Sequence, residues 1–246
     1  MPLYRVTLAY DGTNYQGWQI QPRGPTIQGE VQKCLERISG RPVIVGGAGR
    51  TDAGVHAHGQ VAHFKLDNPI PPDGLLRGMN SLLPEDIRVR ESSVAPGDFH
   101  AQYSARSKTY RYCIDLSPVA LPFRSRFTHH HPHRLDRAAM DAAATSFLGC
   151  HDFVAFAASS TEVKTTVREC FESRFLEQGP ELIYEIKATG FLHHMVRNIV
   201  GTLLEVGRGK FAAEDIGALF DSKDRRLSGP TAPARGLHLM EVEYEK

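Results

Sequence analysis

Two ferredoxin-like halves in an α+β fold are what this 246-residue sequence predicts, and three observations predict them. Some short segments alternate apolar and polar residues with the period of strands. Others repeat apolar residues with the period of helices. From residue 4 to residue 94 these segments run in the order β-α-β-β-α-β, and residues 107 to 244 follow a similar order. The antiparallel sheets of the two halves, 1–105 and 106–246, are expected to join around a central cleft, with the boundary between 95 and 106.

Each element has its own signal. Residues 4 to 10 (YRVTLAY) alternate like a half-buried strand and run into the turn signal Asp11-Gly12. Thr26, after Pro25, is placed to cap a helix with Ile27, Val31, Leu35 and Ile38 at helical spacing, and Gly40 is placed to end it. Strands at about 42 to 48 and 58 to 66 flank a glycine-rich loop. A helix with Leu75, Leu76, Met79, Leu82 and Leu83 follows Pro71-Pro72, and a strand near 87 to 94 closes the half. In the second half, 107 to 116 reads as a strand, 134 to 148 as an Ala-rich helix, and 166 to 176 with 181 to 189 as a hairpin around Gly179-Pro180. Leu192, Met195, Val196, Ile199, Val200, Leu203 and Leu204 form the stripe of an amphipathic helix. A short helix at 212 to 220 and a last strand at 237 to 244 complete the chain.

Composition narrows the class. Apolar residues make up 41% and charged residues 23%, as in an ordinary globular protein. The opening MPLYRVTLAYDG lacks the basic and apolar regions of a secretory signal, and no apolar run is long enough to span a bilayer, so a cytoplasmic protein without membrane partners is expected. Cys34, Cys113, Cys150 and Cys170 are widely spaced without a C-x-x-C pair and read as reduced core residues. With 29 Lys and Arg against 28 Asp and Glu, the net charge of +1 does not itself announce a nucleic-acid binder. The charges are uneven, however. Arg106, Lys108 and Arg111 interleave with Tyr103, Tyr110 and Tyr112, whereas Glu241, Glu243 and Glu245 gather at the C-terminus.

The sharpest local feature is Gly46-Gly47-Ala48-Gly49-Arg50-Thr51-Asp52-Ala53-Gly54-Val55-His56, where four glycines surround a single Arg-x-Asp between two predicted strands. Walker spacing is absent and no helix follows directly, which argues against a nucleotide triphosphate site. A tight connection with a turn-capping Asp is the plain reading of this loop taken alone.

Six segments together point further. In order they are Tyr10-Asp-Gly-Thr-Asn-Tyr15-Gln-Gly-Trp18-Gln, Gly47 to Ala57, Lys108-Thr-Tyr110-Arg-Tyr112, His151-Asp152-Phe153, Gly190 to Gly201, and Ala232 to Leu239. In that order they resemble the TruA-type transfer RNA pseudouridine synthases over nearly the whole chain. The resemblance implies that Asp52 is the catalytic carboxylate, that Arg197 pairs with it from the second half, and that Tyr110 stacks on the target base and helps remove its C5 proton. It further implies that Leu239 lines the pocket and that Arg50 contacts RNA or fills the space of an extruded base, with a local turn-stabilising role as the rival reading. Arg106, Lys108 and Arg111 are candidate phosphate contacts. It also implies a homodimer acting on uridines 38, 39 and 40 of the tRNA anticodon stem-loop. His238 departs from the family, which often has Tyr there.

Isomerising uridine breaks the bond from C1′ to N1, turns the base and rejoins it at C5, with no net oxidation. A carboxylate serves as nucleophile or base, so no metal and no organic cofactor is called for. Attack at C1′, addition at C6 and removal of the 2′ proton all remain open from sequence. Two other classes stand beside this one. A noncatalytic RNA binder would use the basic and aromatic strand alone. A metal-dependent hydrolase would be built on Asp52, His56, His58 and His63. The run His129-His130-His131-Pro132-His133 reads as surface histidine without converging metal ligands.

Overall fold

A computed structural model describes residues 1–158 and 163–245 of the chain. The elements, in order, are β1 (Leu3–Tyr10), α1 (Ile27–Ser39), β2 (Gly46–Gly47), β3 (His56–Lys65), α2 (Pro72–Leu82), β4 (Ile87–Val94), β5 (Ala105–Asp115) and β6 (His129–His130). They continue with α3 (Arg137–Thr145), β7 (Gly149–Asp152), β8 (Val167–Gln178), β9 (Glu181–Ala188), α4 (Met195–Gly207), α5 (Asp215–Ser222) and β10 (Leu237–Tyr244). Helices and mostly antiparallel strands make this an α+β protein. The chain divides into two compact units, Met1–Arg106 with His238–Lys246, and Ser107–Leu237.

In the first unit the strands stand in the order β4-β1-β3-β10, with the short β2 also on β3. The pairings of β1 with β3 and β4 are antiparallel, and β10 runs parallel to β3, with His238 opposite His56 and Leu239 opposite Ala57. Alternation sets the layers: Tyr4, Val6, Leu8 and Tyr10 are buried, while Arg5 and Thr7 are only half-buried. Thr26 caps α1 as its position predicts, its Oγ1 accepting from Gly29 N at 3.2 Å, and Gly40 closes the helix. Pro72 opens α2, where a missing N–H costs nothing. The C-terminus is fastened by Tyr244, whose ring lies under Arg5 and whose hydroxyl donates to Ala101 O at 2.7 Å.

The predicted strand at 42 to 48 shrinks to Gly46–Gly47. Val43 and Val45 are buried and Ile44 is exposed, so the alternation is real. The Val45 carbonyl, however, accepts from the Gln28 side chain on α1, not from a neighbouring strand.

The second unit has the strand order β5-β9-β8-β7, all antiparallel, with β6 parallel to β5. Tyr110, Tyr112 and Ile114 of β5 stand opposite Ile186, Tyr184 and Leu182 of β9 on one face. That face meets the helices, since Ser173 Oγ bonds both Tyr184 Oη and the Ala144 carbonyl of α3. Asp136 caps α3 by accepting from Ala139 N at 2.9 Å. The predicted amphipathic helix is α4, but it is buried from Met195 to Gly207 except at the half-buried Arg197. Its polar side is covered by residues 228 to 232: Gly229 N donates to Thr202 Oγ1, and Asn198 Oδ1 accepts from Thr231 Oγ1 and from Arg225. A polar stripe that finds internal hydrogen bonds need not face water.

Candidate active site

The glycine-rich loop of the first unit is held from two directions. From β3, Gln60 Nε2 donates to Gly49 O at 2.9 Å, and Ala48 N donates to Val61 O. From the end of β1 and the stretch after it, Tyr10 Oη and Thr51 Oγ1 share a buried hydrogen bond of 2.8 Å. Trp18 N donates to Thr51 O at 3.0 Å, Gly54 N to Tyr15 O at 3.4 Å, and Gly12 N to His56 Nδ1 at 3.1 Å. Within the loop, Val55 N closes a turn on Asp52 O at 3.1 Å. Thr51 and Val55 are buried and Arg50 is exposed, while Asp52 between them is half-buried. A half-buried carboxylate so placed has a fixed backbone beneath it.

Two glycines are required by this packing. A Cβ on Gly12 would sit 2.0 Å from Val55 O. One on Gly17, where φ is +88°, would sit 2.3 Å from Thr51 O. Burial pushes the Tyr10 hydroxyl up from its ordinary value, so it stays a neutral hydrogen-bonding group under the loop.

In the second unit Tyr110 is buried on β5, and its ring meets Phe191 edge to face at 4.9 Å and 80°. Lys108 lies two residues earlier on the same face and is half-buried. Arg197 sits in the first turn of α4, where its Nε donates to Ala232 O at 2.8 Å and its carbonyl accepts from Ala232 N at 3.0 Å. This reciprocal bond fixes the plane of the guanidinium. Just before it, His194 takes a left-handed conformation with φ 61°, and its ring centroid lies 3.9 Å from that of His193. A non-glycine residue in that region is a store of strain of the kind concentrated at functional sites. Nothing in the sequence marks it.

Other expected residues fall elsewhere. Adjacent positions on a strand face opposite ways, so Arg111 lies on the face away from Lys108 and Tyr110. There its Nε holds Glu185 at 2.6 Å. Arg106 pairs with Glu245 within the first unit. Leu239 is fully buried on β10. The constellation expected for a metal hydrolase is split: His56 stacks on His238 and His58 meets the same ring at a tilt, whereas His63 packs on Phe99 and His100. The run at 129 to 133 is not simply surface. His131 is buried, His129 and His130 are half-buried, and His130 Nε2 lies 2.8 Å from Ser117 O. Burial, with neighbouring positive charge, pushes the His129 imidazole down to about 4. The sequence reading missed this because β6 is only two residues long and shows no periodicity.

Comparison with known proteins defines the class of this protein first: an isomerase acting on RNA. The family profile described as tRNA pseudouridine synthase matches residues 7–104 and 143–245, which include Asp52, Arg197 and Leu239. A "tRNA pseudouridine synthase A" of Moorella thermoacetica is 46% identical over 99% of this chain and 100% of its own. Relatives of the same name match similarly. That of Syntrophotalea carbinolica is 46% identical over 99% of this chain and 97% of its own, and that of Latilactobacillus sakei is 44% identical over 98% of each. Solved structures match distantly: a chain from the archaeal box H/ACA sRNP Nop10-Cbf5 complex aligns with a TM-score of 0.35 and 13% identity, over 82% of this chain and 44% of its own. The chain belongs to the tRNA pseudouridine synthase family, and its reaction is the isomerisation of uridine to pseudouridine in tRNA. Among the described residues, no helix is long and apolar enough to cross a membrane.

Proposed function

We propose that Asp52 is the catalytic carboxylate of this isomerisation and that the substrates are uridines 38, 39 and 40 of the tRNA anticodon stem-loop. The observation that carries the assignment is the clamp on residues 47 to 56, which fixes the backbone on both sides of a half-buried carboxylate. Attack at C1′, addition to C6 and abstraction of the 2′ proton each begin from the ionised carboxylate, so this clamp serves all three routes. Tyr110 stacks on the base and assists loss of the C5 proton, in keeping with an aromatic ring already braced by Phe191. Arg197 contributes its planar guanidinium, whose orientation is set by Ala232.

A stem uridine must leave its helix to react, at a cost of a few kcal/mol. The exposed Arg50, two residues from Asp52, is the group proposed to occupy the space left behind. Lys108 is the proposed phosphate contact, and Leu239 lines the nucleoside pocket. Arg106 and Arg111 would have to exchange a carboxylate for a phosphate to join them. The chain works in the cytoplasm as a homodimer and uses no metal or organic cofactor.

The deciding experiment maps pseudouridine in tRNA treated with the wild-type protein or with Asp52→Asn. The variant is expected to bind tRNA with unchanged affinity and to release no tritium from C5-labelled uridine. Product formation by Asp52→Asn, or modification only outside positions 38 to 40, would overturn the corresponding half of the proposal.

A further inference from the structure

We propose that Arg168 and Lys108 together form a phosphate subsite that grips one backbone phosphodiester of the RNA beside the nucleoside at Tyr110. The subsite rests on the reading of Tyr110 as the base-stacking residue and adds a residue, Arg168, to which no role has so far been given.

Register places the groups. Lys108 stands opposite Ala188, and Ala188 stands opposite Cys170, so these three form one row across β5, β9 and β8. Arg168 precedes Cys170 by two residues and Tyr110 follows Lys108 by two. Both therefore share the face of that row. A Cβ built on Gly190 would come within 3.4 Å of Arg168 Nε, so the side chain of Arg168 lies along the backbone at Gly190. The next residue, Phe191, is the one braced against the Tyr110 ring. An unbroken line of contacts thus runs from Arg168 through Gly190 and Phe191 to Tyr110.

The electrostatics around Arg168 favour an anion. Arg168 Nη1 donates to Thr165 O at 2.9 Å and to Val167 O at 2.6 Å, which orients the guanidinium without neutralising it. Among the described residues no carboxylate pairs with it. Arg111 and Arg174, on the opposite face of the same sheet, both hold Glu185. Burial first, and the neighbouring Arg168 charge second, push the Lys108 amine down to about 8. Burial also lowers Arg168. Two half-buried cations near each other are costly, and a phosphodiester bridging them turns that repulsion into attraction. An arginine fork and a lysine point charge are the usual donors to such an oxygen pair.

The test is binding of an anticodon stem-loop RNA to the full chain carrying Asp52→Asn, so that no turnover intervenes. Adding Arg168→Gln is expected to raise Kd about tenfold and to flatten the dependence of log K on log salt by about 0.7 to 0.9. Arg168→Lys, which keeps charge without the fork, should fall between. Replacing the phosphodiesters around the target uridine one at a time by neutral methylphosphonate should reveal one position that weakens the parent protein yet leaves Arg168→Gln unaffected. Affinity should also fall as pH rises above about 8, where the Lys108 amine of the free protein loses its proton, and Lys108→Arg should remove that fall. Equal sensitivity of both proteins to every replacement, or an unchanged salt slope, would overturn the subsite. A sensitive phosphate remote from the target uridine would leave the cation pair in place and sink its link to Tyr110. That result is distinct from product formation by Asp52→Asn, which bears on the reaction itself.

Discussion

Removing one hydroxyl beneath the loop that carries Asp52 tests whether the loop is positioned or merely present. Tyr10 Oη and Thr51 Oγ1 are 2.8 Å apart, and the two residues are 4% and 6% exposed, so neither group has water to fall back on. Tyr10→Phe deletes one partner and leaves the Thr51 hydroxyl unsatisfied, at a cost of roughly 1 to 2 kcal/mol. Thr51→Val should cost a similar amount. The double substitution replaces both partners by apolar groups, and it should cost well under the sum, with a coupling of about 1 kcal/mol or more. For a chain of this length each single variant is expected to melt roughly 3 to 6 °C below wild type. Because Thr51 adjoins Asp52, displacement by a fraction of an ångström should also lower kcat for pseudouridine formation roughly tenfold while KM for tRNA stays near wild type. Urea unfolding of the four proteins gives the coupling, and tritium release gives the turnover. Additive destabilisation with unaltered kcat would refute the argument that this bond steers Asp52.

The remaining predictions concern the second unit. Arg197→Lys keeps the charge but cannot hold Ala232 O with one nitrogen and present a planar fork with the others, so kcat should fall about a hundredfold; steady-state kinetics near the wild-type value would reject a role for the guanidinium. Gly201→Ala would put a Cβ 1.6 Å from Pro230 O, forcing residues 228 to 232 off α4 and costing roughly 3 kcal/mol or more, to be read from urea midpoints. His129 is held neutral in the folded chain with its imidazole near 4, against about 6.5 when unfolded. Between those values the unfolded state takes up a proton that the folded state refuses, so this contribution is complete above pH 6.5 and lost as pH falls towards 4. The drop in Tm across that window should be shallower in His129→Phe, and an unchanged slope would exclude His129 as its source.

Much of the fold could be read from the chain because its signals are local. Thr26 caps α1, the helical stripe from Met195 onward is α4, and the alternation of residues 4 to 10 is β1, since each depends only on residues a few positions apart. What was hidden depends on distant pairing. The last strand reads as the end of the second half, yet from His238 onward it groups with residues 1–106, because it lies parallel to β3 across a separation of some 180 residues. No periodicity records such a partner. The buried polar side of α4 was equally out of reach: Thr202 and Asn198 look solvent-facing until residues 228 to 232 fold over them. Arg168 sits in an ordinary alternating strand, and only the register of three strands puts it on the face of Lys108.

The candidate site stands out in the sequence for a different reason. The segment from Tyr10 to Trp18 and the loop from Gly47 to His56 read as two motifs, but in the structure they are one object. Tyr10, Gly12, Tyr15 and Trp18 each hydrogen-bond a residue of the loop. The glycines of one stretch sit where the carbonyls of the other must pass. Close packing of two irregular segments leaves little tolerance for volume, so both must keep small residues at fixed spacing. That is why a loop whose Asp alone suggests only a turn becomes informative beside its partner. The stretch from Tyr10 to Trp18 holds the backbone on which Asp52 stands, and changes there should alter turnover before they alter RNA affinity.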